Sequence, residues 1–233
     1  MTRAEIHHRH RDVTGGWLRP AVFGVMDGLV SNASLIAGVV GGGATAKTVT
    51  VAGLAGLAAG AFSMATGEYT SVRSQSEMTL AEIAVERHEI ARNPQAEQDE
   101  LAALYESRGL APELAQEVAR QLHSRDDVAW RVHAREELGV DPDDLPSPWL
   151  AAGSSFVAFS IGALVPVLPF LFGFTSMVAA IVLTALGLAG TGALVGRLTT
   201  RSPLLSGARQ LLLGTAAAAV TFGIGNLVGA TLT

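Results

Sequence analysis

Residues 149–233 contain no acidic residue and only three basic ones, Arg197, Arg201 and Arg209, and across residues 20–67 the only charges are Asp27 and Lys47. A helix of roughly 20 apolar residues crosses the hydrocarbon of a bilayer, and these two regions hold several such runs. Between Glu68 and Asp144, by contrast, acids and arginines crowd together. The pattern predicts an all-α membrane protein with five transmembrane helices and a helical, acidic domain inserted between the second and the third. The share of charged residues, 16%, is well below the quarter or so usual in soluble domains.

The first predicted span, residues 18–40, ends at Gly41-Gly42-Gly43, a run that disfavours helix. The second, residues 49–67, follows a short loop, so the two form a helical hairpin. No proline or glycine interrupts residues 68–92, and their Ala, Glu, Arg and Met favour helix. One continuous helix is therefore expected from about residue 47 to residue 92, stopped by Asn93-Pro94, with its polar half reaching about 30 Å beyond the membrane. Shorter helices are expected at 95–107, 112–123 and 125–138, then a proline-rich linker to Pro148. Trp149 opens a third span to about Phe172, and residues 177–195 and 204–227 are the fourth and fifth. The resulting organisation is a polar tail (1–17), spans one and two (18–71), the acidic domain (72–148) and spans three to five (149–233). Glycines recur in the later spans, where they let helices approach closely.

Arginines sit in the N-terminal tail, in the middle domain and at positions 197, 201 and 209, leaving Lys47 alone in a loop opposite. The positive-inside tendency places the N-terminus and acidic domain in the cytoplasm and the C-terminus outside a plasma membrane. No cleaved targeting segment is expected. The net charge of −5 comes almost wholly from the middle domain, which argues against a nucleic-acid partner and favours a cationic one. Cysteine is absent, so thiolate metal sites and thiol nucleophiles are excluded.

Asp27 is a lone carboxylate in an apolar span. Such a residue is costly unless it is paired, protonated or wetted, and it commonly marks an ion path. Met64 and Glu68, at i and i+4 on the second span, share one helical face. Carboxylate oxygen with thioether sulfur suits a divalent transition ion over magnesium or calcium. Asp27 is also the candidate carrier of a coupled proton. Each residue has a plainer alternative: Met64 as packing, Glu68 as the membrane edge, Asp27 as the partner of a polar group such as Asn226.

In the polar domain Glu86 and Glu89 stand at i and i+3, Glu97 and Glu100 repeat that spacing, and His133 with Glu137 is an i, i+4 pair. Each pair can aim two ligands at one point, and like charges on one face invite a bound cation; the alternative is a solvated acidic face. Oxygen-rich ligation with imidazole suits iron, manganese, cobalt or zinc. Glu82 lies on the same acidic run. His7, His8 and His10, with His88 and His123, read as non-specific. Catalysis finds no support: no phosphate-cradling glycine motif and no nucleophile elbow occurs, no acidic residue lies three before His88, His123 or His133, and no prosthetic group is implied.

Asp27-Gly28-Leu29-Val30-Ser31 with Ala33-Ser34-Leu35-Ile36-Ala37-Gly38, and Ala58-Ala59-Gly60-Ala61-Phe62-Ser63-Met64-Ala65-Thr66-Gly67-Glu68-Tyr69, resemble the signatures of the vacuolar iron transporter family, prokaryotic members included. The resemblance runs from about Leu18 to the end of the chain. It implies a homodimeric exchanger moving ferrous iron, and often manganese, out of the cytoplasm against protons, with a path between the first spans of two subunits. It places the first-span aspartate at Asp27, the second-span methionine at Met64, and the metal-binding glutamates at Glu86, Glu89, Glu97, Glu100 and Glu137. The chain departs from eukaryotic members at Gly56, where they carry a glutamate, and at His133 and Ala134, where they carry two methionines. The alternative function is a membrane-anchored metal-binding or sensing protein without transport.

Overall fold

The computed structural model describes residues 16–174 and 176–232; the N-terminal histidines His7, His8 and His10 lie outside them. The described residues form helices α1 (Leu18–Gly41), α2 (Ala46–Arg92), α3 (Pro94–Ser107), α4 (Pro112–His123), α5 (Asp126–Glu136), α6 (Pro148–Leu164), α7 (Leu168–Leu171), α8 (Met177–Leu198) and α9 (Pro203–Leu232). No strand occurs among them. They divide into two compact units: Ser71–Ser147, and the described residues on either side of it. The division falls inside α2, which runs unbroken for 47 residues, as a stretch free of glycine and proline from residue 68 onward allows.

Four helices, α1, α2, α8 and α9, are long and apolar enough to cross a membrane. The third expected span departs from prediction. Instead of one helix over 149–172, the chain forms the 17-residue α6, a turn at residues 165–167, and the four-residue α7. Pro166 has no amide hydrogen to donate, and its ring obstructs the preceding turn. Val165 N bonds Gly162 O at 3.3 Å and Val167 N bonds Leu164 O at 3.0 Å, so the ladder skips Ala163 O. Asn32 fills the gap. Its buried Nδ2 donates to Ala163 O at 2.6 Å and to Gly53 O at 3.1 Å, tying α1 to α6 and α2. Asn32→Leu is expected to lower the thermal unfolding midpoint of the detergent-solubilised protein, since Gly53 O keeps its helical partner within α2 but Ala163 O loses its donor, at a cost on the order of 1–3 kcal/mol.

In the first unit α1 is the hub, packing against α6, α9 and α8. The contacts run backbone to backbone. A Cβ at Gly162 would collide with Val25 O, and one at Gly225 with Gly38 O, so these crossings need glycine. Thr221 Oγ1 on α9 lies 2.8 Å from Ser34 O on α1. The α2 segment joins through side chains: Ile36 and Val49 cluster with Val167 and Phe170, and Ala61 clusters with Phe159 and Ala163.

In the second unit α3 packs on α4 through Leu101, Ala102 and Ala119, with Tyr105, Leu122 and Val132 closing over them. Pro94 and Pro112 stand in the first turns of α3 and α4, where a missing amide costs nothing. Gly109, at φ +100°, makes the turn between them. Arg108 forms an ion pair with Glu136 and also donates to its backbone carbonyl, holding the α3 end against α5.

Candidate metal centre and the Asp27 helix

In the second unit, three helices bring acids to one imidazole. His133 sits on the last turn of α5 with its side chain fully buried, and Glu137, one turn on, closes that helix by donating its amide to His133 O at 2.8 Å. His133 Nδ1 lies 2.7 Å from Glu137 Oε1, 2.9 Å from Glu86 Oε1 on α2 and 3.9 Å from Glu97 Oε2 on α3. All three carboxylates are largely buried, with side chains 12–21% exposed.

Glu86 Oε1, Glu137 Oε1 and His133 Nδ1 are buried without a properly aligned hydrogen bond, and together they make a set of ligand atoms within 4.8 Å of one another. Buried polar atoms without partners are costly. Converging lone pairs of oxygen and imidazole nitrogen are what a divalent transition cation accepts.

The charges in the cluster match that geometry. Burial, reinforced by the negative charges of Glu137 and Glu97, pushes the Glu86 carboxyl up to about 7. Burial also raises Glu97 and Glu137, with Glu100 adding to both. His133 is pushed down by burial, against the opposing pull of Glu97 and Glu100, and is held neutral. Three largely buried carboxylates side by side are costly to ionise together without a cation.

The six residues expected to bind metal are therefore not equivalent. Glu86, His133 and Glu137 converge, with Glu97 beside them. Glu100 is exposed and acts on the cluster by charge. Glu89 does not join: Asn93 Nδ2 donates to its Oε2 at 3.3 Å. The i, i+3 spacing with Glu86 brings only one of the two inward: the side chains of His133 and Glu97 meet Glu86, whereas Glu89 turns to Asn93. His123 reads as non-specific in the sequence, yet its Nε2 lies 2.8 Å from His133 Nε2. No periodicity connects residues ten apart on two helices, so only the fold reveals the pair. His123 also lines an open cavity of about 1070 Å³ with Arg87, Arg120, Arg131 and Trp130.

In the first unit Asp27 is half-buried on α1, with no hydrogen bond or ion pair to its carboxylate among the described residues. The Ser31 hydroxyl donates to the Asp27 backbone carbonyl at 2.6 Å. Asn226 is exposed on α9 and makes no bond to Asp27. Met64, half-buried on α2, packs against Ala61, Phe159 and Ala163. Glu68, also half-buried, precedes Tyr69, whose ring lies 4.7 Å from that of Trp149. No bond links Asp27, Met64 and Glu68 to one another.

The family model described as the VIT family matches residues 18–226. The chain is 37% identical to a vacuolar iron transporter of Acanthamoeba castellanii over 94% of its length and 82% of the relative's. It is 32% identical to vacuolar iron transporter 2 of Oryza sativa subsp. japonica, over 95% of the chain and 92% of the relative. Vacuolar iron transporter 1 of Eucalyptus grandis is 31% identical, over 95% and 90%. With a family match across both helical units and relatives of this identity along nearly all their length, the chain belongs to the VIT family.

Proposed function

We propose that the protein exports ferrous iron, and manganese with it, from the cytoplasm in exchange for protons. The observation that carries this reading is the convergence of Glu86, His133 and Glu137 ligand atoms without hydrogen-bond partners. Relatives named iron transporters give it context. In this reading the middle unit faces the cytoplasm and collects ions there, with Glu86 releasing its proton as a metal arrives. Asp27, which has no ion pair among the described residues, binds the cation or a proton in turn on a path that Met64 and Glu68 help line. α6 with α7 makes the third of five crossings, and the working form is a homodimer in a plasma membrane. The relatives' names point to a vacuolar membrane; export to a vacuole or across a plasma membrane removes metal from the cytoplasm alike.

Reconstitution into liposomes tests this directly. Ferrous iron should enter vesicles and accelerate when a pH gradient is imposed, with proton movement in the opposite sense. Metal bound in stoichiometric amount without flux would instead support a membrane-anchored sensor. That second reading draws on one observation: every ligand atom of the cluster lies within Ser71–Ser147.

A further inference from the structure

His133 has two ring nitrogens and, when neutral, one hydrogen. Its Nδ1 faces the Glu86 and Glu137 oxygens, while its Nε2 faces His123 Nε2 at 2.8 Å, the two rings inclined at 66° with centroids 5.0 Å apart. A cation held by Nδ1 needs the lone pair there, so the hydrogen must move to Nε2. At Nε2 the acceptor within reach is the His123 ring.

We propose that His123 is a positioning residue for the metal centre: its Nε2 accepts the hydrogen of His133 Nε2–H and so fixes His133 in the tautomer whose Nδ1 binds a divalent cation. This rests on the reading of Glu86, His133 and Glu137 as metal ligands. His123 then carries its own hydrogen on Nδ1, and the open cavity that His123 lines gives water access to that side. Its place at the last residue of α4 puts it against the face of α5 that bears His133. Ligating imidazoles commonly donate their second nitrogen in this way, and removing the acceptor typically costs about 10–100-fold in metal affinity.

The experiment titrates the full-length protein in detergent with cobalt(II), reading affinity by calorimetry and ligand geometry by the visible d–d bands. His123→Leu removes the acceptor and is expected to weaken binding about 10–100-fold and shift the bands. His123→Gln places an amide oxygen near the position of Nε2 and is expected to restore both affinity and spectrum. In a His133→Ala background, His123→Leu should cost nothing further, because His123 acts only through that ring. If the leucine variant does not fold, His123→Met supplies the apolar comparison.

Two results overturn the proposal: wild-type affinity and bands in the apolar variant, or a glutamine variant as impaired as the apolar one. Failure of the ligand reading looks different. In that case His133→Ala and Glu137→Gln themselves leave cobalt binding unchanged.

Discussion

Asp27→Asn is expected to reduce metal flux driven by a pH gradient to the rate of protein-free liposomes, while cobalt binding by the solubilised protein stays at wild-type affinity. Asparagine matches aspartate in size and keeps its capacity for hydrogen bonds, so packing around α1 survives. It cannot ionise, and a neutral side chain neither attracts a cation into a low-dielectric region nor exchanges one for a proton. Among the described residues the Asp27 carboxylate has no hydrogen bond or ion pair, so the substitution breaks none of their contacts. Binding should persist because Glu86, His133 and Glu137 all belong to Ser71–Ser147. Undiminished proton-coupled flux in the variant would remove Asp27 from the path.

The second large effect is on pH. Metal must displace whatever protons the cluster holds, and Glu86, with its carboxyl raised to about 7, holds one over much of the acidic range. Burial raises Glu97 and Glu137 as well and pushes His133 down. Affinity is therefore full above about 7 and falls as pH drops through it, by about tenfold per pH unit for each proton displaced. Calorimetry in buffers of different ionisation enthalpy should count at least one proton released per cobalt bound near pH 6.5. Glu86→Gln should weaken binding at pH 8 and flatten the slope below 7. An affinity that does not vary between pH 6 and 8 would separate the cluster from metal capture.

Much of this architecture is legible in the sequence, and the parts that are not share a cause. The reach of α2 follows from residues 68–92 lacking any helix breaker, and its stop at Asn93-Pro94 follows from local backbone rules. Hydropathy is blind to the main chain, however, so residues 149–172 read as one apolar span while Pro166 divides them into two helices. Spacing places Glu86 and Glu89 on one side of α2 but cannot choose between them. That choice is made by which of the two side chains the buried His133 ring meets. His123 is the extreme case: nothing local marks it, and its importance comes from a contact between α4 and α5.

The break after α6 also bears on how the chain is built. Helices settle into a bilayer before they pack together, and a carbonyl left open to hydrocarbon costs several kcal/mol. Ala163 O is such a group, passed over by Val167 N and satisfied by Asn32, a residue 131 positions earlier. During synthesis α1 is already in place when α6 emerges, so α6 finds its missing donor only by docking there. Biogenesis of the second half of the protein is thereby made conditional on the first, and a chain whose α1 has lost Asn32 should present quality-control proteases with an unsettled α6.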